Sequence, residues 1–307
     1  MSSNKEMEGI IYGALSYLMW GVIPIYWKFL QHVDSTEILA HRVFWSFVFM
    51  VFLLLFTKKW SSFITYMKEI SKNKKKLWAL FAASLLVSAN WGIFIWAVNA
   101  GRILDTSLGY YINPLVSVLL GVTVLKEKLN KVQILSVCLA AIGVSILTVY
   151  LGSFPWISLA LAITFGLYGL AKVLIDADAA IGLTLETMMV TPIAIGYYIY
   201  IIFQTPASTY SVNELLFLIG GGVVTAVPLL LFAMGAKNIP LSMLGFLQYI
   251  APTLSLIIGV TIYHESFTKV HFISFMFIWS ALLLYSLSQM KIRERMMKKM
   301  NSRKIGA

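Results

Sequence analysis

Three observations predict an all-α integral membrane protein with ten transmembrane helices arranged as two inverted five-helix repeats. Apolar runs of about 20 residues recur from end to end, the length that crosses a hydrocarbon core of about 30 Å. Of 307 residues, 59% are hydrophobic and only 12% charged, about half the charge fraction of an ordinary soluble domain. One stretch of the sequence also occurs twice.

Breaks at charged or Gly/Pro-rich points place the spans at about 9–30, 36–57, 77–99, 106–125, 131–150, 155–175, 182–203, 212–235, 241–262 and 269–290. The first run is too long for a signal-peptide core and lacks a small-residue cleavage site, so it counts as the first helix. The longest connection, around 58–76, is short and is read as a loop. Lys58, Lys59, Lys68, Lys72, Lys74, Lys75 and Lys76 all lie in it. With the N-terminus inside, that loop, Lys126–Lys131, Lys172, Lys237 and the tail share the cytoplasmic side. Lys28, Arg102 and Lys269 are left near the other side. The positive-inside rule then puts both termini in the cytoplasm of a multi-pass cell-membrane protein. The net charge of +11 is thereby assigned to loops facing anionic lipid headgroups, not to nucleic acid. Cys138 is the single cysteine, which excludes an intramolecular disulfide.

The repeated stretches are "GYYINPLVSVLLGVTVLKEKLNKV" (109–132) and "LQYIAPTLSLIIGVTIYHESFTKV" (247–270). They align without a gap at an offset of 138, Tyr111 on Tyr249 and Pro114 on Pro252. A weaker echo links "MWG" (19–21) to "LYG" (167–169). The unit is five helices: residues 1–151 form the first repeat, 152–290 the second, and 291–307 a basic cytoplasmic tail. Five is odd, so the second copy enters the membrane inverted. The charges agree, since the counterpart of the lysine-rich loop, "QTPASTYSVNE" (204–214), has no basic residue. Inverted repeats characterise secondary transporters, because exchanging the conformations of two halves exchanges the open side.

"YGALSYLMWGVIPIYWKFL", "EILAHRVFWS", "ANWGIFIWAVNAGRILDTSLGYYINPLVSVLLG" and "LKEKLN" resemble the RarD branch of the EamA-type drug/metabolite transporter superfamily. The resemblance covers nearly the whole chain and is strongest over 10–150. It implies a ten-helix permease with two EamA repeats in a bacterial plasma membrane, and export as the direction. It supplies no ligand motif.

The candidate substrate-binding residues therefore come from physical argument. If the second helix began after Arg42, only Val43–Thr57 would remain, about 22 Å at 1.5 Å per residue, so His41 and Arg42 lie within the membrane. Two readings stand. Arg42 snorkels to headgroups or pairs with Glu37, or it faces a wet solute path together with Lys28 and His41. The corresponding stretch of the second half, "ETMMVTPIAIG" (186–196), places Val190 or Thr191 opposite the basic pair. Pro114 and Pro252 sit inside spans and strip the carbonyls of Tyr110 and Gln248 of partners. Around them Tyr110, Asn113, Gln248 and Tyr249 are candidates at the midplane, and Asn90, Trp91 and Asn99 in the third span join them. A packed kink is the competing account. Acidic residues are read as lying in loops or near helix ends, and Glu127/Lys131 as an i,i+4 pair that sets a turn. Gly9-x-x-x-Gly13 and Gly220-Gly221-Gly222 permit close helix approach or bending.

No nucleotide-binding, hydrolase or HExxH spacing is present, so no enzyme, cofactor or metal site is expected. The reading is a secondary transporter of a small organic solute, such as an amino acid or carboxylated metabolite, working by alternating access. The alternative is a non-transporting membrane scaffold or sensor.

Overall fold

Twelve helices form along the described residues of the computed structural model, which are 3–30, 32–100, 102–152, 155–175, 177–204, 210–262 and 268–305. Side chains are described for these residues except 3, 95, 98, 99, 103, 104, 151, 201–204 and 289–305. The helices are α1 (Ser3–Lys28), α2 (Ser35–Phe56), α3 (Trp60–Lys72), α4 (Lys74–Asn99), α5 (Ile103–Thr123) and α6 (Lys131–Leu151). They continue as α7 (Trp156–Leu174), α8 (Ala179–Gln204), α9 (Val212–Asn238), α10 (Leu241–Gln248), α11 (Ile250–Thr261) and α12 (Lys269–Ile305).

Ten of these units are the predicted spans, with α10 and α11 together making the ninth. Nine stretches among the described residues are long and apolar enough to cross a membrane. The other span is α5, whose apolar content is diluted by Asp105, Thr106, Asn113 and Ser117, all buried inside the protein. Large apolar side chains such as Phe56 and Val149 point outward, 82% and 79% exposed. That pattern suits lipid contact, because lipid does not penalise exposed hydrocarbon.

Local chemistry accounts for the ends. Asp34 caps α2 by accepting from Thr36 N at 2.8 Å, and Asp178 does the same for α8 from Ala180 N at 3.0 Å. Asn130 with Gln133 and Ser211 with Glu214 form capping boxes for α6 and α9. The chain leaves α6 through Gly152, at φ 68°.

Two expectations need correction. The 58–76 connection is not a plain loop, since α3 occupies most of it. Phe63, Tyr66, Met67 and Ile70 recur at helical spacing, with Phe63 and Ile70 buried and Lys68 and Lys72 exposed, as in an interfacial helix. The two prolines also behave differently despite their matched sequence context. α5 runs unbroken through Pro114, whereas the helix stops at Gln248 and restarts at Ile250, just before Pro252. The lost N–H of a proline permits either outcome, and packing selects one.

Packing is symmetric under exchange of the halves. α1 lies on α9 and α11, as α7 lies on α4 and α5; α2 meets α9, as α8 meets α4. α2 with α8, α5 with α10, and α6 with α12 pair across the exchange. The echoed Trp20 and Tyr168 meet on one ring, their centroids 5.8 and 5.9 Å from that of Phe232. The glycine motifs act through close approach. A Cβ on Gly222 would sit 2.4 Å from the Trp45 carbonyl carbon, and one on Gly235 3.1 Å from Gly13 N.

Gly222→Ala is expected to lower stability in detergent by about 1–3 kcal/mol through overpacking of α2 on α9. Gly196→Ala, with nothing within 4 Å of the added carbon, should be neutral or stabilising by up to about 1 kcal/mol. Denaturant titration of the two variants measures both. Burial acts to raise the Asp178 carboxyl, but Lys59 at 2.7 Å and the α8 amides outweigh it and hold it below its usual 3.8. A depressed carboxyl contributes stability that is present above that value and lost as pH falls through the lower folded one. Melting temperature should accordingly drop below about pH 4, and Asp178→Asn should flatten that part of the profile.

Candidate functional site

Arg42 is the eighth residue of α2, about 10 Å along the axis from Ser35. Its side chain turns into the bundle. The guanidinium carbon lies 4.8 Å from the Trp27 ring centroid and 5.2 Å from that of Trp91, and Nε donates to Thr225 Oγ1 at 3.1 Å. These partners come from α1, α4 and α9. Tyr110 of α5 is close enough to interact with Arg42 electrostatically, and 45% of its surface is exposed. Among the described residues no carboxylate lies within ion-pair distance of Arg42. Two aromatic faces partly replace its water and leave its charge uncompensated.

This geometry removes the snorkelling reading of Arg42. A snorkelling side chain would run outward along α2, and this one runs inward. The pairing with Glu37 is not made, because the Glu37 carboxylate accepts from the Tyr210 hydroxyl. The three cations also fail to converge. Lys28 is exposed at the end of α1. His41 faces the α8 side of the helix, 4.8 Å from the Tyr198 ring, and accepts from Trp45 Nε1 at Nδ1.

Of the other predicted residues, Trp91 and Tyr110 join Arg42. Asn90 does not: its amide donates to Leu161 O and Thr164 Oγ1, both at 2.9 Å, and fastens α4 to α7. Asn113, Gln248 and Tyr249 are buried, with Asn113 accepting from Ser117 at 3.4 Å. No contact among the described residues ties them to Arg42. The Asn99 side chain lies outside the described residues.

Sequence reasoning misses Trp27, Thr225 and an acidic centre. Glu186 and Lys172 are buried at 3% and 5% side-chain exposure and lie 2.5 Å apart, and Tyr168 donates to the other Glu186 oxygen at 3.1 Å. Acidic residues are thus not confined to loops and helix ends, and Lys172 is an interior residue, not a loop cation. The available signal was the pair of N-capping aspartates. Aligning Asp34 with Asp178 sets Glu186, not Val190 or Thr191, opposite Arg42. The "MWG" echo misleads because the path from it to the capping aspartate is four residues longer in the first half, two of them in α1 and two in the turn that follows. Glu186 also lines a narrow slot of ≈ 10 Å³, room for about one water, together with Val43, Ser88, Trp91, Thr187 and Leu229. Trp91 therefore stands between the basic and acidic centres.

Comparison with known proteins fits this architecture. Residues 7–149 match the EamA-like transporter family. The chain is 50% identical over 291 residues to the uncharacterized transporter YojE of Bacillus subtilis, covering 95% of this chain and 97% of that one. It is 39% identical to the protein RarD of Escherichia coli, over 96% and 99% of the two chains. This chain belongs to the RarD branch of the EamA-type drug/metabolite transporter superfamily. A protein crystal structure at 16% identity superposes with a TM-score of 0.67, over 92% of this chain and 98% of that one, and shares the fold.

One further polar contact joins the halves of this RarD-branch chain. Lys126 takes a left-handed conformation, φ 58°, and Glu127 N bonds back to Gly121 O at 3.0 Å. The Glu127 carboxylate then accepts from Leu241 N at 2.6 Å and Ser242 N at 3.0 Å, capping α10, whose own N-cap, Pro240, supplies no side-chain bond. The expected i,i+4 pair with Lys131 is not made, because the α10 amides and the positive end of the helix hold the carboxylate instead. Its repeat mate Glu265 lies outside the described residues. Glu127→Ala should cost about 0.5–2 kcal/mol, as loss of an N-cap does, while Lys131→Ala should cost almost nothing. Thermal denaturation in detergent compares the two.

Proposed function

We propose that this chain is a secondary transporter that exports a small organic solute carrying a carboxylate, an amino acid or similar metabolite, by alternating access. The carrying observation is Arg42, a permanent cation in the interior with two tryptophan faces and no acid partner among the described residues. A solute carboxylate would supply the missing counter-charge, with Trp27, Trp91 and Tyr110 against its body. The packing pattern that survives exchange of the halves supports the mechanism, with 1–151 and 152–290 as the exchanging units and 291–307 as the tail. In this reading the protein lies in the plasma membrane with both termini cytoplasmic, its basic loops against anionic headgroups. Outward movement is the direction the branch resemblance implies.

A carboxylate panel screened by thermal shift tests the anion site. A true ligand at one hundred times its Kd should stabilise the wild type by about 2.7 kcal/mol, and Arg42→Gln should abolish that shift while leaving the unliganded melting temperature within a few degrees. Saturable uptake of the same ligand into inside-out vesicles, whose outer face is the cytoplasmic one, tests export. Folded protein giving no saturable flux for any bound ligand would refute it.

A further inference from the structure

We propose that Glu186 is a proton-binding site on the cytoplasmic side of the solute path, and that its protonation frees Lys172 and opens the gap between α7 and α8. The physiological use of such a site rests on the transport reading above, but its test does not.

Three observations lead there. First, α7 and α8 are joined by the short connection 175–178 and both pack on α4 more than on each other, and beyond that connection the bonds from Lys172 and Tyr168 to Glu186 tie one to the other. Second, the bridge is a fully buried ion pair. Taking two charges out of water costs several kcal/mol per ion, and apolar side chains of equal volume would hold two helices together as well. What an ion pair adds is that a single proton breaks it. Third, Glu186 lines the slot whose wall is Trp91, and the same indole carries the Arg42 guanidinium. With Asp34 and Asp178 as the common origin, the two halves place a base and an acid at matched positions, one toward each side of the membrane. Ionisable groups at membrane depth mark substrate and ion pathways.

The groups facing Glu186 are few. Among the described residues α7 presents Lys172 and Tyr168, and α2 presents Arg42 beyond Trp91; α4 presents Val87, Ser88 and Trp91 and α9 Leu229, none of which titrates. In the proposed step one proton from the aqueous phase adds to a Glu186 oxygen and converts the carboxylate to a neutral acid. Lys172 keeps its own proton and its charge, and loses its counter-ion. A lone ammonium is not tolerated in that interior. Lying two residues from the end of α7, Lys172 reaches the aqueous interface, and the slot opens. Loss of the proton to the cytoplasm restores the pair and closes it.

The test reads slot opening directly, without a solute. In a Cys138→Ser background, Ser88→Cys places a thiol on the slot wall, and a charged methanethiosulfonate reagent reports its accessibility. Rates are divided by those of a Ser71→Cys control in the same Cys138→Ser background, whose thiol is exposed on α3 outside the spans, to correct for the pH dependence of thiolate chemistry common to both. The normalised rate should rise as pH falls, by up to about tenfold per pH unit, the limit for one bound proton. In Glu186→Gln it should be high and independent of pH. Lys172→Met/Glu186→Gln, which leaves no buried charge behind, should also be pH-independent and guards against misfolding of the single variant. A pH-independent rate in the parent, or a pH response that persists in either variant, overturns the proposal. Neither result bears on carboxylate binding at Arg42, which is measured separately by thermal shift.

Discussion

A guanidinium inside a bilayer protein has to be surrounded by groups that replace water, and the position of Arg42 governs the helices around it. Trp27 can lie over its face only if α1 crosses near the N-terminal part of α2, and Trp91 requires α4 alongside as well. Thr225 reaches Nε because α9 comes unusually close to α2. Gly221 and Gly222 supply that closeness, and Ser46 reinforces it by donating to Gly222 O at 3.0 Å. The glycine run, the two tryptophans and the basic residue are therefore one structural device. No water is available in hydrocarbon to make good any part that is missing.

The same constraint acts on the acidic side with a different solution. Glu186 has its counter-ion and a tyrosine hydroxyl within the protein, and is closed in. Arg42 has aromatic faces, one hydroxyl and an exposed tyrosine nearby, and stays charged. The two halves of a duplicated fold thus hold a compensated charge and an uncompensated one at matched positions. Strict symmetry would make the two sides chemically equal. In the proposed transport cycle, unlike charges would let the two ends of one path respond to different species, while the shared backbone pairing would keep its two conformations similar in energy.

Part of the candidate site was legible because depth is legible. Counting residues from Asp34 shows that Arg42 cannot stand at the surface, and the repeat locates the midplane prolines. Direction was less accessible. His41 and Arg42 are adjacent and equally deep, yet they face different helices, and Lys28 at the end of α1 joins neither. Asn90 looked like a solute ligand by depth and chemistry, but it serves as an interhelical bond to α7. An amide in hydrocarbon must find a partner, and sequence does not say whether that partner is a solute or a neighbouring helix.

The sequence by itself determined the ten spans, the family, the five-helix duplication and the depth of the basic pair. The family rests on the resemblance of contiguous motifs, and the rest follows from span length and local identity, which are also properties of contiguous residues. Only the tertiary structure decided that Arg42 points inward between two indoles and that α10 breaks where α5 does not. It also placed Glu127 as the cap of a helix in the other half and Lys172 on Glu186. Each of these is a contact between segments remote in sequence or across a turn of irregular length. Its geometry depends on how the helices rotate about their axes, and that rotation is set by packing against neighbours.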